Sequence, residues 1–182
     1  MGYRQIALLR GINVGRANRV AMADLRSVIE GLGYKDVCTL LNSGNVVFST
    51  PRAAPDGLAG RLEKEIAQKL GGSVRVTVLT AAELTAVVTE NPLVEIAENP
   101  SRFLVAFLRN PADRQKLEPL TKQDWAPEVL ALGTRVAYLW CPEGILDNPL
   151  GNTVNRVLKD GVTTRNWATV LKLQALTEKK QL

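Results

Sequence analysis

DVCTLLNSGNVVFS, residues 36–49, is the stretch that decides the fold. Two runs with strand-like composition, Asp36–Leu41 and Val46–Ser49, flank the tetrapeptide NSGN at residues 42–45. Asn and Gly supply the backbone conformations that a tight turn between antiparallel strands requires. The stretch therefore predicts a β-hairpin.

The segments on either side of this hairpin extend it into a larger unit. Before it lie an apolar strand ending in Ile6-Ala7-Leu8-Leu9 and an amphipathic helix at about Met22–Leu32. After it, a helix begins near Pro55, and Val74–Leu79 has the alternation of a strand. The order is β-α-β-β-α-β, which is that of a ferredoxin-like unit, also called a split β-α-β unit.

The second half of the chain repeats this plan. Val105-Ala106-Phe107-Leu108-Arg109 resembles residues 6–10, since an Arg follows an apolar strand just before a helix in both. We interpret Asn152 as the cap of a short helix and Thr164 as the cap of the last one, which places Arg165 and Asn166 in its first turn.

The element order predicts an α+β protein made of two tandem ferredoxin-like units with antiparallel sheets. We place the first unit at residues 1–92 and the second at residues 93–182, because Asn-Pro pairs at 91–92 and 99–100 interrupt the chain between them. We expect the two units to pack as one body.

The amino-acid composition excludes several kinds of catalytic and metal-binding site. The 182 residues include no histidine, which excludes Ser-His-Asp and Cys-His catalysis and every His-ligated metal site. Two cysteines, Cys38 and Cys141, are too few for a disulfide framework or a four-ligand zinc site, so we expect free thiols and no metal. No apolar run has the length of a membrane span and no signal peptide is recognisable, so we expect no membrane association.

Charge is unevenly distributed. Residues 1–26 hold five Arg and one Asp, and residues 154–182 hold six basic and two acidic residues, so each end carries +4. The middle of the chain carries −3, with twelve basic and fifteen acidic residues. If the two ends meet, they form a positive face suited to phosphate or another anion; otherwise this is ordinary surface charge.

The loop at residues 10–19 is the first candidate for ligand contact. It joins a strand to a helix and carries Gly11, Gly15, Asn13 and three arginines, at 10, 16 and 19. Neither G-x-G-x-x-G nor a P-loop is present, so no nucleotide cofactor is predicted. The turn at residues 42–45 is the second candidate, although Asn and Gly there also serve the turn itself.

Topology brings these candidates together. In a β-α-β-β-α-β unit, the end of the first strand and the turn between the second and third strands fall on one edge of the sheet. The charge argument adds the basic C-terminal segment. We therefore predict one positive pocket, in which the arginines hold an anion and the other side chains orient it. Its residues are Arg10, Asn13, Ser43, Asn45, Arg165 and Asn166.

Three functions are compatible with these features. The first is binding of a small anionic or phosphate-bearing ligand, with or without catalysis. The second is weak, sequence-nonspecific binding of nucleic acid, although only 5% of residues are aromatic and no base-stacking run is present. The third is a protein-interaction module whose motifs are only turns and caps. Whether the chain is an enzyme stays open at this point.

Three segments resemble the bacterial "domain of unknown function 1697" (DUF1697) family. They are LLRGINVG at residues 8–15 with Met22 and Leu25 following, SGNVVF at 43–48, and TRNWATV at 164–170 with Lys172-Leu173. The resemblance covers nearly the whole chain. It implies a cytoplasmic α+β protein built from two related ferredoxin-like units, and it implies no established activity, cofactor or substrate.

Overall fold

A computed structural model describes residues 2–13, 18–53 and 55–179. The chain divides into two compact units, one formed by Met1–Leu84 with Leu173–Leu182 and the other by Thr85–Lys172. Each is an α+β unit with its own four-stranded sheet. The boundary near residue 92 and the packing of both units as one body stay predictions.

The first unit has ferredoxin-like topology. Its elements are β1 (Tyr3–Arg10), α1 (Met22–Gly31), β2 (Lys35–Leu40), β3 (Asn45–Thr50), α2 (Leu58–Leu70), β4 (Arg75–Thr80) and the start of α3 (Ala81–Thr89), which crosses the boundary at Leu84. The sheet order is β2-β3-β1-β4, and every neighbouring pair is antiparallel. The predicted hairpin is confirmed, with strands shifted by about one residue from the predicted bounds.

Alternation along the strands sends one set of side chains toward α1 and α2. On β1 these are Ala7 and Leu9, which join Phe48 of β3 and the apolar faces of both helices in one core. Leu25 and Ile29 of α1 and residues 62 and 66 of α2 are fully buried there. Spacings of four residues place these positions on one helix face, which explains why these segments form helices over the sheet.

The second unit repeats the same topology. Its elements are β5 (Phe103–Leu108), α4 (Arg114–Leu117) between two 3₁₀ turns, β6 (Val129–Leu132), β7 (Val136–Trp140), α5 (Pro149–Leu158), β8 (Val162–Asn166) and the start of α6 (Trp167–Glu178), which crosses the boundary at Lys172. The sheet order is β6-β7-β5-β8, which is equivalent position by position to the first sheet. The predicted fold class is confirmed.

Corresponding hydrogen bonds support the duplication. In the first unit, the amide of Leu9 donates to the carbonyl of Gly44 at 2.8 Å, which ties the end of β1 to the β2–β3 turn. In the second, the amide of Leu108 donates to the carbonyl of Arg135 at 3.0 Å, between the end of β5 and the β6–β7 turn. The two segments that looked alike in sequence therefore make the same contact in their own units.

Two helix starts in the second unit were predicted wrongly. Residues 162–166 form strand β8, so Thr164 pairs with Ala106 of β5 and does not cap the last helix. Asn166 occupies the position before α6, and its Oδ1 accepts from the amide of Thr169 at 2.9 Å. α5 is capped by Asn148 and not by Asn152, since the Asn148 side chain accepts from the amide of Gly151.

Both cysteines are free, and they differ in exposure. Cys141 is fully buried, and burial, with a smaller contribution from Glu128, raises the pKa of its thiol to about 12. At pH 8 this thiol stays protonated and unreactive, because the thiolate is the nucleophile. Cys38 is exposed.

We expect a thiol reagent such as DTNB to titrate one thiol in the native protein and two in denaturant. Rapid reaction of two thiols in the native protein would contradict this prediction.

No helix within residues 2–13, 18–53 and 55–179 has the length and apolar character to cross a membrane.

Candidate functional site

The end of β1 and the β2–β3 turn meet at one edge of the first sheet, as the topology predicts. Besides the contact between Leu9 and Gly44, the Nδ2 of Asn13 donates to the carbonyl of Asn42 at 2.7 Å. Two residues about thirty positions apart are thus in direct contact. We call the edge formed by Arg10, Asn13, Ser43 and Asn45 the first-unit rim. Gly15 and Arg16 of the predicted loop lie outside the described residues.

Gly44 permits the close approach of the turn to β1. Its φ is +81°, a conformation that L side chains rarely adopt. A Cβ at this position would lie 2.7 Å from Cβ of Leu9 and 2.8 Å from Cδ1 of Ile12. The Leu9 atom is attached directly to the backbone and cannot move away on its own. Glycine is therefore required here both for its conformation and for its size.

Asn13 holds the loop that follows β1. Its backbone is left-handed, with φ of +54°. Its Nδ2 donates to the carbonyl of Val20 at 3.0 Å as well as to Asn42, and its Oδ1 accepts from the amide of Val20 at 2.9 Å. One carboxamide thus ties both ends of the loop to the hairpin turn. These contacts favour a positioning role for Asn13 over the predicted direct contact with a ligand.

Asn45 supports the turn from below. Its side chain is fully buried, and its Nδ2 donates to the carbonyl of Leu40 at 2.9 Å and to Oγ of Ser43 at 2.8 Å. Ser43 itself is exposed. Buried polar groups usually have hydrogen-bond partners, and here the partner is the hydroxyl that the turn presents to solvent. Asn45 therefore fixes the position of Ser43.

Arg10 is the last residue of β1 and is partly exposed. Leu8 pairs with Asn45, so alternation places Arg10 on the same face of the sheet as Asn45. On the other side, Arg10 pairs directly with Arg75 of β4. Like charges in directly opposite positions are unfavourable. Oε2 of Glu63 lies 3.8 Å from Nη1 of Arg75, and this ion pair offsets part of the repulsion between the two arginines.

Further contacts attach the rim to the α2–β4 connection. The Nδ2 of Asn18 donates to the carbonyl of Gly11 at 3.0 Å. A Cβ on Gly72, whose φ is +75°, would lie 2.6 Å from Oδ1 of the same Asn18. Sequence reasoning did not identify Asn18 or Gly72 as part of this edge. The Gly71-Gly72 pair after α2 is the sequence signal that could have indicated this contact.

The equivalent edge of the second unit has a different composition. Arg109 corresponds to Arg10, and its amide donates to the carbonyl of Gly161 at 2.9 Å. A Cβ on Gly161 would lie 3.1 Å from Oδ2 of Asp113, so a carboxylate is close to this edge. A short connection through Asn110 and Pro111 replaces the long loop of the first unit. The two edges therefore have equivalent backbone arrangements, and they differ in the charge of their side chains and in the length of the loop.

Arg165 and Asn166 lie in the second unit. Arg165 is on β8, opposite Val105, and its Nη1 donates to the carbonyl of Thr164 at 2.8 Å. Burial lowers the pKa of its guanidinium to about 10. Asn166 is engaged as the cap of α6. The sharing of one pocket by these two residues and the first-unit rim stays a prediction.

Among the described residues, no group of three or more Cys, Asp or Glu side chains is arranged to hold a metal ion.

Comparison with known proteins supports the fold. A solved structure, that of the conserved bacterial protein SP0830 from Streptococcus pneumoniae, is similar to this chain with a TM-score of 0.79 and 25% sequence identity. The similarity covers 98% of this chain and 100% of that one. No relative was found among the curated proteins. A family model described as protein of unknown function (DUF1697) matches residues 3–138, which is more than half of the chain. The chain therefore belongs to the DUF1697 family.

Proposed function

We propose that the first unit binds a small anionic ligand at the first-unit rim. The observation that carries the proposal is the placement of Arg10 on the same face and at the same end of the sheet as Asn45, whose Nδ2 donates to Oγ of exposed Ser43. The other two rim side chains, Asn13 and Asn45, hold the backbone and Ser43 in place. A rim built this way presents one cation and one hydroxyl from fixed positions.

Charge at this edge favours an anion. Arg10 and Arg75 are cross-strand neighbours, and Arg19 is exposed beside Val20, which Asn13 binds. An oxyanion lying against Arg10 would relieve the repulsion between the paired arginines. Guanidinium groups bind phosphate and carboxylate through two parallel hydrogen bonds, which makes these the preferred ligand groups.

The roles within the rim follow from the contacts. Arg10 would bind the anion directly, and the hydroxyl of Ser43 would donate to one of its oxygens. Asn45 positions Ser43, and Asn13 positions the loop against the turn. The proposal rests on the first unit alone and involves no chemical step.

Arg10→Ala tests this proposal. Hydrogen bonds to charged groups contribute about 1.5 to 3 kcal/mol, so we expect the affinity of the rim for inorganic phosphate to fall roughly 10- to 100-fold in the variant. Isothermal titration calorimetry measures this, and the melting temperature should stay close to that of the wild type, because Arg10 is partly exposed.

Arg109→Ala is the matched control, since it removes the same charge from the equivalent position of the second unit. We expect its phosphate affinity to equal that of the wild type. Equal losses in both variants would contradict the proposal, as would an absence of phosphate binding at millimolar concentration. Binding of single-stranded oligonucleotides alone, with steep salt dependence, would favour the nucleic-acid alternative instead.

A further inference from the structure

A cleft lies at the opposite ends of the strands of the first sheet, where β3 ends and α2 begins. Its volume is about 400 Å³, within the range of small-molecule sites. Six of its lining residues matter to its chemistry: Tyr34, Pro51, Arg52, Pro55, Asp56 and Arg61. The first-unit rim is formed by the other ends of the same strands, so the cleft and the rim are separate places on one unit.

Tyr34 anchors the floor of this cleft. Only 7% of its surface is exposed, and its ring centroid lies 5.3 Å from that of Phe48 in the core. Its hydroxyl accepts a hydrogen bond from Nη1 of Arg61 at 3.4 Å. Within the described part of the chain, this is the hydroxyl's one hydrogen bond, so its own proton is available to a ligand oxygen. A buried tyrosine hydroxyl usually donates to a partner, and an oxygen of a ligand in the cleft would be such a partner.

Two arginines provide the charge. Arg52 and Arg61 are both exposed, and both line the cleft. Asp56 also lines it, so the three side chains sum to one positive charge. Among the described residues, Asp56 forms no ion pair with either arginine. Nearby, α2 begins after Gly57 with no side-chain cap and no acidic residue in its first turn, which adds to the positive potential.

We propose that this cleft is a second anion site, which takes a phosphate monoester with a small apolar body. Arg52 and Arg61 would bind the phosphate, and Tyr34 would donate to one of its oxygens. Pro51, Pro55 and the ring of Tyr34 supply apolar surface for the remainder of the molecule. The proposal goes beyond the rim site and does not depend on it.

The test uses phenyl phosphate as the probe, in the Arg10→Ala background so that the rim does not contribute. We expect saturable binding there, at least tenfold weaker after Arg61→Ala or Arg52→Ala and about threefold weaker after Tyr34→Phe. Lys64→Ala is the matched control, because it removes a charge from an exposed position on the same helix outside the cleft. Phenol, which lacks the phosphate, should bind far more weakly than phenyl phosphate.

Two results would overturn the proposal. One is an absence of saturable phenyl phosphate binding in the Arg10→Ala protein. The other is an equal effect of Arg61→Ala and Lys64→Ala, which would show that only net charge matters. Tyr34→Phe keeps the ring in the core, so it reports on the hydroxyl even if an arginine variant alters stability. Failure of the rim proposal would leave these outcomes unchanged, since the rim arginine is absent throughout.

Discussion

Gly44→Ala is expected to lower the free energy of unfolding by about 3 kcal/mol. A left-handed conformation costs a non-glycine residue roughly 1 to 2 kcal/mol, and forcing a methyl group into a packed site costs about 1 to 3 kcal/mol. Both terms apply at Gly44, where φ is +81° and the added Cβ would lie 2.7 Å from Cβ of Leu9. Urea unfolding of the purified variant measures the loss.

Gly33→Ala separates the two terms. Gly33 has nearly the same φ, +84°, and an added Cβ there would meet nothing within 4 Å. We expect this variant to lose only about 1 kcal/mol, the cost of the conformation. Equal losses of stability at both positions would show that the turn does not pack closely against β1. The close contact of Gly44 with Leu9, on which the first-unit rim depends, would then be contradicted.

Asn13→Ala is expected to cost about 2 to 3 kcal/mol. The variant loses the three hydrogen bonds that the Asn13 side chain makes, to Asn42 and to both backbone groups of Val20. Each such bond contributes about 1 kcal/mol, and Asn tolerates the left-handed backbone of this residue better than Ala does. The loss should appear in urea unfolding and as faster amide exchange at Val20.

Asn42→Ala is the control for this prediction. Asn42 offers its backbone carbonyl to Asn13, and its exposed side chain has no hydrogen bond among the described contacts. The variant should therefore stay within about 0.5 kcal/mol of the wild type, as is usual for surface positions. A cost at Asn42 equal to that at Asn13 would mean that the turn, and not the carboxamide of Asn13, is the sensitive element.

Most of the fold was predictable because its signals are local. The NSGN turn between two strand-like runs predicts a hairpin, and apolar spacing predicts α1 and α2. The similarity of residues 6–10 to residues 105–109 indicated the duplication, and the contacts of Leu9 and Leu108 with their turns have the same geometry. Hydrophobic periodicity and turn chemistry therefore account for the architecture of the first unit.

Strand β8 was not predictable in the same way. Its sequence, VTTRN, mixes polar residues with a single aliphatic one, and Thr and Asn are both common before helices. Pairing with β5 decides its conformation, and this pairing depends on residues more than fifty positions away. The same tertiary contact makes Asn166, rather than Thr164, the residue that caps α6.

The meeting of the end of β1 with the β2–β3 turn was predictable from the sequence, and the roles of the residues there were less so. Topology alone places Arg10 and Asn13 beside Ser43 and Asn45, because the ends of β1 and β2 share an edge. An Asn in such a loop can orient a ligand or bind the backbone, and sequence does not distinguish the two. The hydrogen bonds of Asn13 and Asn45 favour the second role.

The most direct test of anion binding at the first-unit rim is to titrate the Arg61→Ala variant with inorganic phosphate and to record the amide chemical shifts by NMR at each phosphate concentration. This variant lacks a phosphate-binding arginine of the cleft and keeps all residues of the first-unit rim. We predict saturable shifts concentrated at residues 9–13 and 42–45, without comparable shifts at the equivalent residues 108–110 and 133–136. Shifts of equal size at both edges, or none at the rim at saturating phosphate, would contradict the account.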